Sequence, residues 1–124
     1  MPVALEYYAD HFLVRMVGPA ALTSLKRAIV VPYSDVAAAQ AKAPEWPAIF
    51  SNRVGLHAPK FAVSGLFMDW RFQHHRFLHF DRNTSTALWL DLNGHPDYEQ
   101  VVIAVRDAEA AAAEIMRRRD DGSK

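Results

Sequence analysis

Along most of this chain the apolar residues recur at every second position. Phe12, Val14 and Met16 alternate with His11, Leu13 and Arg15, the period of a pleated strand with one face turned inward. The stretch VALEYYADHFLVRMVG therefore predicts two short strands joined at Ala9-Asp10, a first hairpin. Gly18-Pro19 breaks the pattern, and the alanines and leucines that follow suit a connection containing one helical turn. AIVV is β-branched and short, and Pro32 ends it. Ser34 and the small apolar residues after it predict a turn and a fourth strand. Pro44, Pro47 and Pro59, with Gly55 among them, mark a long irregular loop over 42–60, because prolines at that density withdraw backbone donors from any ladder.

Four apolar segments of strand length come next: KFAVSGLFMDW, HRFLHFD, TALWLDL and QVVIAV, separated by turn residues. In TALWLDL, Leu88, Leu90 and Leu92 share one face, and Trp89 and Asp91 share the other, the pattern of a half-buried antiparallel strand. The last element changes period. DAEAAAAEIMRRR opens with Asp107 as N-cap, holds five alanines, carries Glu109 in its first turn and ends on three arginines near the negative end of the dipole. Its apolar face is narrow, formed by Ala108, Ala112, Ile115 and Met116. The expectation is a mainly β fold: an antiparallel barrel of seven or eight strands with one C-terminal capping α-helix. Residues 1–119 form a single domain in this reading, with the helix at 107–119 and a frayed tail at 120–124.

Composition narrows the function classes. The 124 residues suffice for one core without covalent staples. Fourteen basic residues balance fourteen acidic ones, so no general field draws the chain to nucleic acid, and no nucleic-acid partner is expected. With no cysteine, disulfides, thiolate nucleophiles and sulfur-held metals are excluded. Glu6 and Asp10 near the start argue against a secretory signal. The longest stretch free of charge is ten residues, between Arg15 and Lys26, about half a membrane span. The expectation is a cytoplasmic protein.

Trp46-Pro47 followed by Arg53, then GLHAP (Gly55, His57, Pro59) and SGLF (Gly65, Phe67), together with the order of strands and terminal helix, resembles uncharacterised members of the bacterial pleckstrin-homology-like (PH-like) domain family. Lys60 stands where that pattern has a glycine. The resemblance implies a curved sheet closed into a barrel with the helix plugging one end. It also implies a scaffold for binding or assembly, and supplies no catalytic residues. Phosphoinositide recognition does not carry over, since the first hairpin turn, YYADH, offers Asp10 and no lysine or arginine.

HHRFLHFD invites a metal reading, but on a strand His75 and His79 stand about 13 Å apart and cannot share an ion. His57, His95 or Asp97 would have to assist, so no metal and no cofactor is expected. Ser64 lacks the first glycine of a nucleophile elbow and sits within a predicted strand. The carboxylates Asp69, Asp81, Asp91, Asp97 and Glu99 are scattered at turns and strand ends. Between 53 and 82, Arg53, Lys60, Arg71, Arg76 and Arg82 face only Asp69 and Asp81, with Trp70, Phe72 and Phe77 interleaved. In the long loop, Trp46, Ile49, Phe50 and Leu56 either fold over the core or form a contact surface. If exposed, Trp46 with Arg53 and His57 makes an anchor for a protein.

The sequence thus predicts a non-catalytic binding or assembly module, not an enzyme, that engages a protein partner or a second copy of itself. Its binding residues are Trp46, Arg53, His57, Arg71 and Arg76. Two alternatives stand beside it. One is a small-ligand or metal-dependent enzyme built on the histidines; the other is peripheral attachment to an anionic membrane through the basic segment 53–82.

Overall fold

The computed structural model describes residues 3–16, 28–47, 52–58, 61–68, 71 and 73–122, with residues 52–54, 56 and 57 described through their backbone alone. The Gly18-Pro19 connection and the side chains of Ile49, Phe50, Leu56, Lys60, Asp69, Trp70 and Phe72 lie outside the described residues. Nine strands are found among them: β1 (Ala4–Tyr7), β2 (His11–Arg15), β3 (Ala28–Pro32), β4 (Val36–Lys42), β5 (Asn52–Ala58), β6 (Ala62–Met68), β7 (Arg76–Asp81), β8 (Ala87–Leu92) and β9 (Gln100–Ile103). A 3-10 turn, Tyr33–Asp35, joins β3 to β4, and a helix, α1 (Ala108–Gly122), closes the chain. The fold is mainly β with one C-terminal helix, as the pattern predicts. Among the described residues no helix is long and apolar enough to cross a membrane.

Among the described residues the strands do not close into a barrel. They form a three-stranded sheet in the order β1-β2-β3 and a six-stranded sheet in the order β4-β8-β9-β7-β6-β5, with no pairing between the sheets among the described residues. One pair departs from the antiparallel expectation: β9 inserts between β7 and β8, antiparallel to β8 and parallel to β7. Its composition explains the position. Val101, Val102 and Ile103 are β-branched and buried on both faces, at 0%, 1% and 0% exposure, which suits a central strand better than an edge. A further strand, β5, runs through the region predicted as irregular. The prolines bracket it at 47 and 59 and leave Asn52–Ala58 free to pair with β6.

Two-sided burial also corrects the reading of β8 as half-exposed. Leu88 and Leu90 are fully buried on one face, and Ala87 and Trp89 are buried on the other. On the first face the leucines join Phe77, Val101 and Ile103 in a core completed by Phe12, Val14, Ile29 and Val31 of the small sheet and by Ala108, Ala111, Ala112 and Ile115 of α1. On the second face Val63, Phe67, Leu78, Phe80, Ala87, Trp89 and Val102 cluster. Each large side chain so buried contributes about 1.5–3 kcal/mol.

Local chemistry fixes the elements as the sequence predicts. The Asp107 carboxylate accepts the Ala110 N–H at 3.1 Å, the N-cap bond that satisfies an orphan donor of the first turn. The helix runs to Gly122, beyond the expected 119, and Arg117 bridges Glu114 and Asp121 along its last turns. Gly55 of β5 lies opposite Gly65 of β6, with φ of 133° and 136°. A Cβ on Gly55 would stand 2.1 Å from the Ser64 carbonyl oxygen, so only glycine allows the strands to approach at this twist.

Candidate functional site

Cross-strand register determines which side chains the large sheet gathers. Arg53 pairs with Phe67 and Phe67 with Arg76, so Arg53 and Arg76 occupy one row of β5, β6 and β7, about 9.6 Å apart at the ordinary strand spacing. Arg76 pairs with Gln100 and Gln100 with Asp91, and the Gln100 amide donates to the Asp91 carboxylate at 2.9 Å. His57 pairs with Val63 and Val63 with Phe80, four rows further on. Trp46 meets Phe80 edge to face, ring centroids 5.1 Å apart, while 37% of the residue stays exposed. It therefore covers the second core face and presents a surface at once. Arg71, exposed, follows β6 in the connection to β7. The backbone register thus puts Arg53 in the row of Arg76 and His57 in the row of Phe80, while Trp46 packs on Phe80 and Arg71 stays in the connection.

The same end of the sheet holds residues the sequence reading did not choose. Phe61 is the most exposed large apolar residue described, at 59%, in a tight turn closed by its N–H on the Ala58 carbonyl at 2.9 Å. The Arg82 guanidinium lies 5.3 Å from the centre of its ring, and the Arg82 N–H donates to the Phe61 carbonyl at 2.9 Å. At the end of β4, the Lys42 ammonium sits 4.2 Å over the Trp89 ring. The sequence places Ala58-Pro59-Lys60 at the end of the expected irregular loop, but nothing in its periodicity says that Phe61 points outward.

The histidines do other work. His95 Nε2 donates to the Val30 carbonyl at 2.8 Å, and its Nδ1 accepts the backbone N–H groups of Asp97 and Tyr98 at 3.1 and 3.3 Å. Both ring nitrogens are occupied, and the ring ties the β8–β9 connection to the small sheet. His74 donates to Glu99 at 3.0 Å. His79 Nδ1 lies 2.7 Å from the hydroxyl of Ser64, a residue only 2% exposed, so the pair is interior polar bonding within β6 and β7. Among the described residues no three potential ligands converge to hold a metal ion.

Electrostatic perturbation lies away from this end. Burial, then the neighbouring Asp97 charge, pushes the Tyr98 phenol up to about 12. Hydrogen bonds from Arg117 and then Arg118 hold the Glu114 carboxyl down at about 2. Burial, followed by the Glu114 charge, raises the Tyr7 phenol. These groups belong to the helix–sheet contacts and the β8–β9 connection. No family model, curated protein or solved structure matches this chain.

Proposed function

We propose that this protein is a non-catalytic binding or assembly module of the bacterial PH-like type, which engages a protein partner through the end of the large sheet carrying Trp46, Phe61 and Arg82. The observation that carries the reading is Phe61. A ring 59% exposed, held in a tight turn beneath an arginine, gains nothing for folding that burial would not give better, whereas aromatic and arginine side chains are enriched where proteins meet. Trp46, anchored on Phe80, adds a second aromatic whose position costs little to fix on binding. Kinship with PH-like domains rests on element order, strands followed by one terminal helix. The enzyme alternative is less supported, because His95, His79 and His74 are engaged in the bonds described above.

Affinity capture from the native cell tests the proposal, using the wild-type chain, Phe61→Ala and Trp46→Ala as baits, with circular dichroism on each. The expected outcome is one partner retained by the wild type and lost by Phe61→Ala at unchanged thermal stability. Undiminished capture by Phe61→Ala would remove this surface from consideration. Loss confined to Trp46→Ala with a lowered Tm would return Trp46 to a purely covering role.

A further inference from the structure

Several cations elsewhere in the described structure pair with carboxylates. Arg15 pairs with Glu6, Arg117 and Arg118 with Glu114, and Arg119 with Asp120. Lys42 and Arg82 differ. Both are exposed, neither meets a carboxylate among the described residues, and each rests over an aromatic face, Trp89 and Phe61 respectively. The nearest acid in sequence to Arg82, Asp81, already accepts the Asn83 N–H at 2.8 Å and the Thr84 hydroxyl at 3.3 Å. A cation–π contact at an exposed site orients the head group for about 0.5–1 kcal/mol and leaves its charge available to an anion.

Register gives the spacing of these cations. Lys42 pairs with Ala87 of β8, Leu88 and His79 both pair with Ile103 of β9, and Phe80 of β7 therefore shares the row of Lys42 and Ala87. Three strand spacings, about 14 Å, separate the ends of that row. Trp46 sits on Phe80 at its far end, and Phe61 and Arg82 lie two residues further along the strands from the Val63–Phe80 pair, so the backbones of Lys42 and Arg82 are about 16 Å apart. A chain extended at about 3.3 Å per residue covers that distance in about five residues.

We propose that this surface, if it is the contact surface put forward above, takes an extended acidic segment of about five residues from a protein partner. Carboxylates meet Lys42 at one end and Arg82 at the other, and apolar side chains between them lie on Trp46 and Phe61. An arginine–carboxylate bond of this kind is charge-assisted and stronger than a neutral one, and two such contacts at fixed separation set register. The occupant is assigned to polypeptide because the chain has no net charge to draw it to an extended anionic surface, whereas two aromatic rings lying between two cations match one extended strand with acidic ends and apolar residues between.

Fluorescence anisotropy of a labelled peptide with the core Glu-Leu-Glu-Leu-Glu, run against Lys-Leu-Lys-Leu-Lys, phosphatidylglycerol vesicles and oligo-dT, tests the assignment. The acidic peptide binds the wild type, more weakly as salt is raised, and the basic peptide does not. The double variant Lys42→Glu/Arg82→Glu loses at least tenfold in affinity for the acidic peptide and gains binding of the basic one, at unchanged Tm. Arg117→Glu, the same kind of charge change on the helix, leaves the acidic peptide bound. Equal binding of both peptides, retention by the double variant, no acidic-peptide binding up to millimolar concentration, or binding of vesicles or oligo-dT in its place overturns the proposal. A cellular partner captured through Phe61 but indifferent to Lys42→Glu/Arg82→Glu would leave the binding module standing and remove only its acidic ligand.

Discussion

Single residues decide this structure where geometry leaves one solution. Gly55 is such a position, since a Cβ there meets the Ser64 carbonyl at 2.1 Å and its φ of 133° is costly for any other residue. Gly55→Ala is expected to destabilise by about 1–3 kcal/mol from backbone strain alone, with the overlap adding to it; urea unfolding measures the shift. The glycine is visible in the sequence, but only as a turn-former in a proline-rich stretch, because its partner Gly65 is known only once β5 and β6 are paired. Tyr98 makes the second residue-scale prediction. Its phenol is pushed from 10.0 up to about 12, so the folded chain holds that proton more tightly than the unfolded chain does. The associated stability is intact below about pH 10 and is lost as pH rises from 10 towards 12. Thermal melts across that range, with Tyr98→Phe as control, should show a shallower alkaline decline in the variant.

At the scale of elements, α1 is the part most legible beforehand. A cap, an alanine run, an acid in the first turn and arginines in the last all act within one or two turns; the structure shows the cap and the acid, and because the helix runs on to Gly122 it keeps only Arg119 of the three arginines in the last turn. Asp107→Ala removes the bond to the Ala110 N–H and should cost about 0.5–2 kcal/mol, read as a lower Tm with retained β-sheet signal by circular dichroism. The strands were equally legible one by one, since period two depends only on neighbours. Their partners were not. Nothing within QVVIAV distinguishes pairing with β8 alone from insertion between β7 and β8, and the irregular reading of 42–60 missed β5 because a proline count is blind to the seven residues it brackets. His95 illustrates the same limit among side chains: one ring joins the β8–β9 connection to β3 across 65 residues of sequence.

For the whole molecule, the two core faces set where substitution is tolerated. Leu90, fully buried between the small sheet and α1, should cost about 2–5 kcal/mol when cut to alanine, while Phe61→Ala should leave stability within about 0.5 kcal/mol. Chemical denaturation of the pair checks both values. That contrast separates residues that hold the fold from exposed ones proposed for binding, and Trp46, packed on Phe80 yet 37% exposed, has a foot in each group. What the chain alone determined is local: strand period, the helix and its cap, the absence of cysteine and the balance of charge, each set by a residue and its near neighbours. What tertiary structure decided is everything resting on contacts distant in sequence: two open sheets in place of a closed barrel, β9 parallel to β7, histidines committed to separate bonds, and Phe61 turned outward beside Arg82. Hydrophobic period states which side of a strand is buried, but strand pairing and the cover over each face settle what lies against it.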